Sequence, residues 1–251
     1  MLKKILLATA LVATASFATW DKFPVKEAGK GQAKVGLDYL MQGDWSGMDL
    51  VAGARFSPIA NLEIGTVFGY RMFSDYDGND GPDGVENLPI MVRYQFMPTM
   101  NAFLDVTLPI GEEEISQDGL GLHFGVQYSQ SFGMVTLGSE LGLEITTEGD
   151  DEVSPPYLLN VGAEGDFAVN EMITPYVGAD LYMMLGEYTH DGDEIPGSDA
   201  SGTIGIHPYV GVGIAFNPMF TLDLFAGFGI GEDFYGEDTA IDIAATLFIN
   251  F

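Results

Sequence analysis

A run of oxygen-bearing side chains in one acidic segment has a spacing that could bind a hard cation. Five of them match the ligand spacing of a calcium-binding loop: Asp75, Asp77, Asn79, Asp83 and Glu86. Such a loop requires a glycine at its sharp turn, where this chain has Asp80, and no helical period flanks the segment. We therefore interpret it as a solvated acidic loop, with weak Ca²⁺ or Mg²⁺ binding by several acidic loops together as the alternative.

The three histidines are the side chains best suited to acid–base or nucleophilic catalysis. His123, His190 and His207 stand in the contexts LHF, THD and IHP. Nucleophilic catalysis needs a serine beside a histidine–carboxylate pair, and none of these contexts indicates one. Cysteine is absent, which excludes a disulfide framework and thiolate metal sites. We predict that the chain is not an enzyme and has no cofactor.

Charged residues recur at single positions within otherwise apolar stretches, and their order along the chain is uneven. The candidate pore-lining residues are three arginines followed by five acids: Arg55, Arg71, Arg93, Glu140, Glu144, Glu164, Asp166 and Asp180. Rings of charge select ions by sign. The chemistry that this pattern predicts is therefore ion selection and not catalysis.

The elements that must position these charges have a period of two residues. In the first stretch Val35, Leu37 and Tyr39 alternate with Gly36 and Asp38, and this alternation predicts a strand with one apolar face. Twelve such stretches of about nine to fourteen residues follow one another, whereas strands of soluble proteins usually have about five to six. A tilted strand needs about 9–11 residues to cross a bilayer. The lengths therefore favour a membrane barrel.

The connections between these stretches alternate in length. One set is short, namely SPIANL, MPTMN, QSFGM, FAVNEM and FNPMF. The other set is mostly long and holds most of the 37 acidic residues, in QGDWSG, SDYDGNDGPDGVEN, GEEEISQDG, TEGDDEVSPP, GEYTHDGDEIPGSDAS and GEDFYGEDT. Short turns at one end and long loops at the other are typical of a transmembrane barrel with periplasmic turns. The predicted fold is all-β, an antiparallel up-and-down barrel of about twelve strands.

The first residues have the composition of a secretory signal peptide. Lys3 and Lys4 precede an apolar run, residues 5–12, and ATASFA permits cleavage before Thr19. The run is too short for a membrane-spanning helix, which needs about 20 apolar residues. We expect residues 1–18 to be removed and residues 19–251 to form one barrel domain. The segment DKFPVKEAGKG before the first strand is expected to be a short periplasmic lead.

The end of the chain carries the most specific likeness to a known class. The sequence IDIAATLFINF alternates apolar residues up to Phe251, and it resembles the final strand of outer-membrane β-barrel proteins of Gram-negative bacteria. The resemblance implies localisation in the outer membrane, contact with its lipid and lipopolysaccharide, and recognition of this strand by the outer-membrane assembly machinery. The net charge of −28 argues against nucleic acid as a partner.

The charged face of each strand must point into the barrel, because Arg or Lys facing lipid at mid-depth would cost about 2–4 kcal/mol. The inward acids outnumber the inward bases, and a twelve-strand ring places the arginines opposite the five acids. This arrangement is similar to the transverse field of general porins. Many inward glycines are expected to leave volume for water.

We therefore expect a porin-like channel for passive diffusion of ions or small hydrophilic solutes, with a preference for cations. The alternative is a sealed structural barrel in which the charges pair across a packed lumen. Its acidic loops would then contact divalent cations or another surface component.

Overall fold

The computed structural model describes residues 22–149, 152–236 and 238–251, so the expected signal peptide of residues 1–18 lies outside the described residues. Twelve long strands, β1 to β12, make up most of the described chain. They are β1 (Gly31–Gln42), β2 (Trp45–Ile59), β3 (Leu62–Tyr76), β4 (Leu88–Met97), β5 (Met100–Leu108), β6 (Gly121–Phe132), β7 (Val135–Thr146), β8 (Tyr157–Phe167), β9 (Ile173–Leu185), β10 (Ile204–Ala215), β11 (Phe220–Gly229) and β12 (Ala240–Asn250).

The sheet closes on itself. Each strand pairs antiparallel with the next, and β12 pairs with β1 from Gln32–Asn250 to Gln42–Ala240. Closure removes the unpaired edges that a bilayer does not tolerate, because lipid offers backbone groups no hydrogen bonds. The prediction of a twelve-strand up-and-down barrel is confirmed.

The two faces of the sheet have the predicted chemistry. Arg93 is 5% exposed, whereas Leu104, which faces outward on the neighbouring strand, is 43% exposed. Most exposed large apolar side chains lie on this outer face, and most buried charged side chains lie inside. The apolar residues therefore form the surface that lipid covers.

A β-bulge interrupts the pairing of β2 and β3. Met48 is opposite Phe73 and Asp49 is opposite Arg71, so Met72 is the extra residue. Both Met72 and Phe73 are exposed on the outer face. A bulge adds one residue to one strand, and here it allows two consecutive apolar residues to face outward while Arg71 stays opposite Asp49.

The loop end of the barrel carries short additional elements. The connection QGDWSG is a tight turn, because β1 ends at Gln42 and β2 begins at Trp45, with Gly43 at a φ of 56°. The longer loops contain a four-residue helix α1 (Glu232–Tyr235) and five two-residue strands, Asn79–Asp80, Gly84–Val85, Val153–Ser154, Thr189–His190 and Asp193–Glu194. No helix among the described residues is long and apolar enough to cross a membrane.

The interior of the barrel is packed in three apolar clusters. One joins Leu40 and Tyr182 to Phe234 and Tyr235 of α1, so the β11–β12 loop folds into the mouth of the barrel. The second contains Val51, Val67, Met91 and Phe248, and the third contains Tyr176, Tyr209 and Phe225. The remaining lumen is lined by charged and amide side chains.

Candidate channel lining

The arginine wall, formed by β2, β3 and β4, carries its charges as ion pairs with neighbouring strands. Arg71 binds Asp49 through Nε at 2.9 Å and Nη2 at 3.1 Å. Both side chains are almost completely buried. Such two-point contacts orient a guanidinium firmly. Arg71 is therefore fixed against the wall.

The other two arginines are paired in the same manner. Arg55 lies 3.5 Å from Glu63 and donates hydrogen bonds to Gln32 at 2.9 and 3.2 Å. Arg93 binds Asp105 on β5, with an Nη2–Oδ2 distance of 3.1 Å. The register brings these partners together diagonally, because Arg55 is opposite Gly65 and Arg93 is opposite Phe103, each two residues from the acid concerned.

The acidic wall, formed by β7, β8 and β9, has no cation of its own among the candidate residues. Glu140 accepts hydrogen bonds from two amides, Gln127 at 2.6 Å and Asn160 at 2.9 Å. Glu144 stands opposite His123 in the β6–β7 register. Glu140 is thus bound by neutral amides, and Glu144 lies opposite an imidazole.

Two acids near the turn end of β8 have fewer contacts. Both carboxylate oxygens of Glu164 and one oxygen of Asp166 are buried and accept no hydrogen bond from any described residue. Buried carboxylates without partners are rare, because removing the charge from water costs several kcal/mol. These oxygens mark the part of the lumen where carboxyl groups lack hydrogen-bond donors among the described residues.

His123 connects the two walls, and sequence reasoning gave it no role. Its Nδ1 lies 3.8 Å from Asp105 and its Nε2 lies 3.7 Å from Glu140. The ring also packs edge-on against Phe103, over which the Arg93 guanidinium lies. The alternation of Leu122, Phe124 and Val126 with His123 along β6 is consistent with its inward position. Its contacts depend on β5, β6 and β7 being neighbours, which follows from the topology.

The segment before β1 does not stay outside the barrel, and the expectation of a periplasmic lead is wrong. Lys22 is 3% exposed, and its ammonium donates to Asp180 at 2.6 Å and to the Tyr209 hydroxyl at 2.9 Å. At the other side of the ring, the backbone amide of Lys26 donates to Glu63 at 3.0 Å. Because β3 and β9 lie on opposite sides of a twelve-strand ring, residues 22–30 cross the lumen.

Lys26 and Glu86, which lie outside the strands, have shifted pKa values. Burial, aided by nearby Arg55, lowers the pKa of Lys26 to about 8 despite the attraction of Glu63. Burial and the charge of Asp49 raise the pKa of Glu86 to about 8, against the attraction of Arg71. The crossing segment and the loop that follows β3 therefore both carry ionisable groups in poorly hydrated places.

The inward glycines make room for neighbouring side chains, contrary to the expectation that their volume is left to water. A Cβ at Gly178 would collide with the Tyr209 ring, and one at Gly211 would collide with Tyr176. A Cβ at Gly227 would collide with His207, whose Nε2 lies 3.2 Å from Asp242. The glycines allow a twelve-strand barrel to hold large aromatic residues inside.

The segment with calcium-loop spacing is not assembled as a metal site. Asp75 and Asp80 pair in a hairpin, where Asp75 accepts a hydrogen bond from the Gly78 amide at 2.9 Å. Glu86 turns away to contact Arg71 at 3.4 Å. Within residues 22–149, 152–236 and 238–251, no three acidic or histidine side chains converge as metal ligands.

The closed twelve-strand barrel, apolar outside and charged within, defines an outer-membrane β-barrel protein. The family model described as "Putative MetA-pathway of phenol degradation" matches residues 19–247, and the chain belongs to this family. No curated protein matches the sequence.

Solved structures share the fold at low sequence identity. An outer-membrane channel from Pseudomonas putida F1 superimposes with a TM-score of 0.74 at 12% identity, covering 92% of this chain and 98% of that one. The translocator domain of the autotransporter NalP from Neisseria meningitidis gives 0.58 at 10% identity, with coverages of 97% and 96%. The NanC porin gives 0.56 at 9% identity, with coverages of 86% and 98%. The protein is thus placed in the outer membrane, with the fold of channels, porins and translocators.

Proposed function

We propose that the protein is a narrow porin-like channel through which ions or small hydrophilic solutes diffuse passively, with a preference for cations. The observation that carries the proposal is the unequal pairing of the lumenal charges. The arginines are bound by acids on adjacent strands, whereas Glu164 and Asp166 keep oxygens without a described partner. A permeating cation would meet carboxylates that are still available, whereas an anion would meet arginines that are already occupied.

The proposed lining consists of the two walls and the crossing segment. Its residues are Arg55, Arg71, Arg93, Glu140, Glu144, Glu164, Asp166 and Asp180, with Lys22 added from the segment. Acid rings favour cations by lowering their energy in a region of weak screening. The path is narrow because residues 22–30 and the Phe234–Tyr235 cluster occupy part of the lumen.

Small aromatic molecules are a second candidate class of solute. The name of the family refers to phenol degradation, and the cluster of Tyr176, Tyr209 and Phe225 presents aromatic rings inside the barrel. Such rings bind aromatic solutes through offset or edge-on contacts. The same cluster also fits the sealed structural barrel, since it fills the space between strands.

Single-channel recording separates these possibilities. The full mature chain, purified and inserted into planar bilayers, should give defined conductance steps in KCl. Absence of steps at high protein load, together with no swelling of protein-containing liposomes in arabinose or phenyl glucoside, would contradict the channel and favour the sealed barrel. Swelling in phenyl glucoside, which the bilayer itself excludes, without ion conductance would favour the aromatic solute.

A further inference from the structure

The side chain of Lys22 is bound as a ligand would be. Its ammonium donates to the Asp180 carboxylate and the Tyr209 hydroxyl, and it lies 5.1 Å from the centre of the Tyr209 ring. Carboxylate, hydroxyl and aromatic face are the three groups that recognise an organic ammonium ion. The lysine does not belong to a strand, so the barrel binds it from a separate segment.

The wall beneath this lysine is shaped to receive it. A Cβ at Gly162 would collide with the end of the Lys22 side chain, and one at Gly138 would collide with its backbone and Cβ. Gly178 provides the space in which the Tyr209 ring lies. Three glycines on adjacent strands β7, β8 and β9 therefore form a groove for a short alkyl chain that ends in a cation.

An unpartnered carboxylate borders the same groove. Glu164 is two residues from Gly162 on β8 and is opposite Gly178, over which Tyr209 lies. It is 2% exposed, interacts electrostatically with Lys22, and neither of its oxygens accepts a hydrogen bond from a described residue. The groove thus contains a second carboxyl group that no described hydrogen-bond donor occupies.

We propose that this groove is a binding site for primary alkylammonium ions and that Lys22 is its tethered occupant. Asp180 and Tyr209 accept the ammonium hydrogens, Glu164 supplies a second carboxyl group, and the glycines accommodate the alkyl chain. A solute with the same head group competes with Lys22 for the site. The site concerns binding, so it does not depend on ion conduction.

Chemical rescue tests the site in the full mature chain. Lys22→Ala removes the atoms of n-propylammonium, and the matched variant Lys30→Ala removes the same atoms from an exposed lysine. The thermal unfolding temperature of the Lys22 variant should fall and should rise again as n-propylammonium chloride is added in the millimolar range. The Lys30 variant should respond to n-propylammonium only as it does to NaCl of equal ionic strength.

Two further probes separate recognition of the head group from simple filling of a cavity. Propan-1-ol has the same shape without the charge, and tetramethylammonium has the charge without N–H donors. Both should bind the Lys22 variant at least about tenfold more weakly than n-propylammonium, which corresponds to one charge-assisted hydrogen bond. Equal stabilisation by propan-1-ol, or none by n-propylammonium, would overturn the proposal.

The unmodified chain provides a test that does not depend on the folding of a variant. In ¹⁵N-lysine spectra the buried ammonium of Lys22 should give a signal protected from solvent exchange, and added n-propylammonium should weaken it. Lys34, which is also buried, serves as the internal reference because it lies on β1. A Lys22 signal that persists unchanged, or that weakens equally with Lys34, would contradict displacement from the site.

Discussion

The arginine wall and the acidic wall of this barrel stabilise their buried charged groups through different partners. Each arginine on β2, β3 and β4 has an acid on an adjacent strand, such as Asp49 for Arg71. On the opposite wall, Asp180 is paired with Lys22 from outside the sheet, and Glu140 is bound by amides. The arginine wall is neutralised by acids on adjacent strands, whereas Asp180 of the acidic wall is neutralised by the crossing segment.

This difference makes the two sides of the lumen unequal in how many of their charged groups are paired. A charge that is paired with its neighbour contributes mainly to stability, because truncating one partner leaves the other buried and alone. A carboxylate without a partner costs stability and remains available to a mobile cation. We therefore expect substitutions on the two walls to have opposite effects on stability.

The largest effect is expected for Arg71→Ala. Asp49 has no exposed surface and would lose both of its hydrogen bonds to the guanidinium. The free energy of unfolding should fall by about 3–5 kcal/mol, measured by urea titration of the protein in lipid vesicles. A loss no larger than that of an exposed control, Lys30→Ala, would show that the pair does not support the wall.

A matched pair of substitutions compares the effect on stability of removing one carboxylate from each wall. Glu63→Gln, on the arginine wall, removes an ion pair with Arg55 and should lower the free energy of unfolding by about 1–3 kcal/mol. Glu164→Gln, on the acidic wall, removes a buried carboxylate that accepts no hydrogen bond from the described residues. It should raise the free energy of unfolding by about 1 kcal/mol. Equal destabilisation by both substitutions would contradict the expected difference between the two walls.

For Arg93→Ala we expect a smaller effect, which is a change in the ratio of cation to anion permeability. Removing one positive charge from the lining should raise the ratio of cation to anion permeability roughly sevenfold, because a unit charge about 7 Å away in water shifts the energies of a cation and an anion by about RT in opposite directions. Arg93→Lys keeps the charge and should leave the ratio unchanged. An unaltered ratio in the alanine variant would place Arg93 outside the ion path.

A further effect is a pH dependence from the crossing segment. The pKa of Lys26 is about 8 in the folded barrel against 10.5 in the unfolded chain. Between these values the unfolded chain binds more protons, so the stability contributed by Lys26 should rise with pH over this window and be constant below it. Urea midpoints from pH 7 to 10 should show this rise in the parent chain and lose it in Lys26→Met.

The sequence predicted the barrel because period-two alternation and alternating loop lengths are local signals. It also placed Arg55, Arg93 and Glu164 on the inward face. The ion pairs could not be predicted from the sequence, because whether Arg93 contacts Asp105 or Glu140 depends on the register between strands. The burial of Lys22 was missed because a short polar segment with three lysines has the composition of a solvated lead.

The sign of ion selectivity is the most direct test of the account. The parent chain, in a planar bilayer separating unequal KCl concentrations, should show a reversal potential that corresponds to K⁺ preference, and Glu164→Gln should reduce it. A reversal potential that corresponds to Cl⁻ preference would contradict the claim that the unpaired carboxylates of the acidic wall set the field of the lumen.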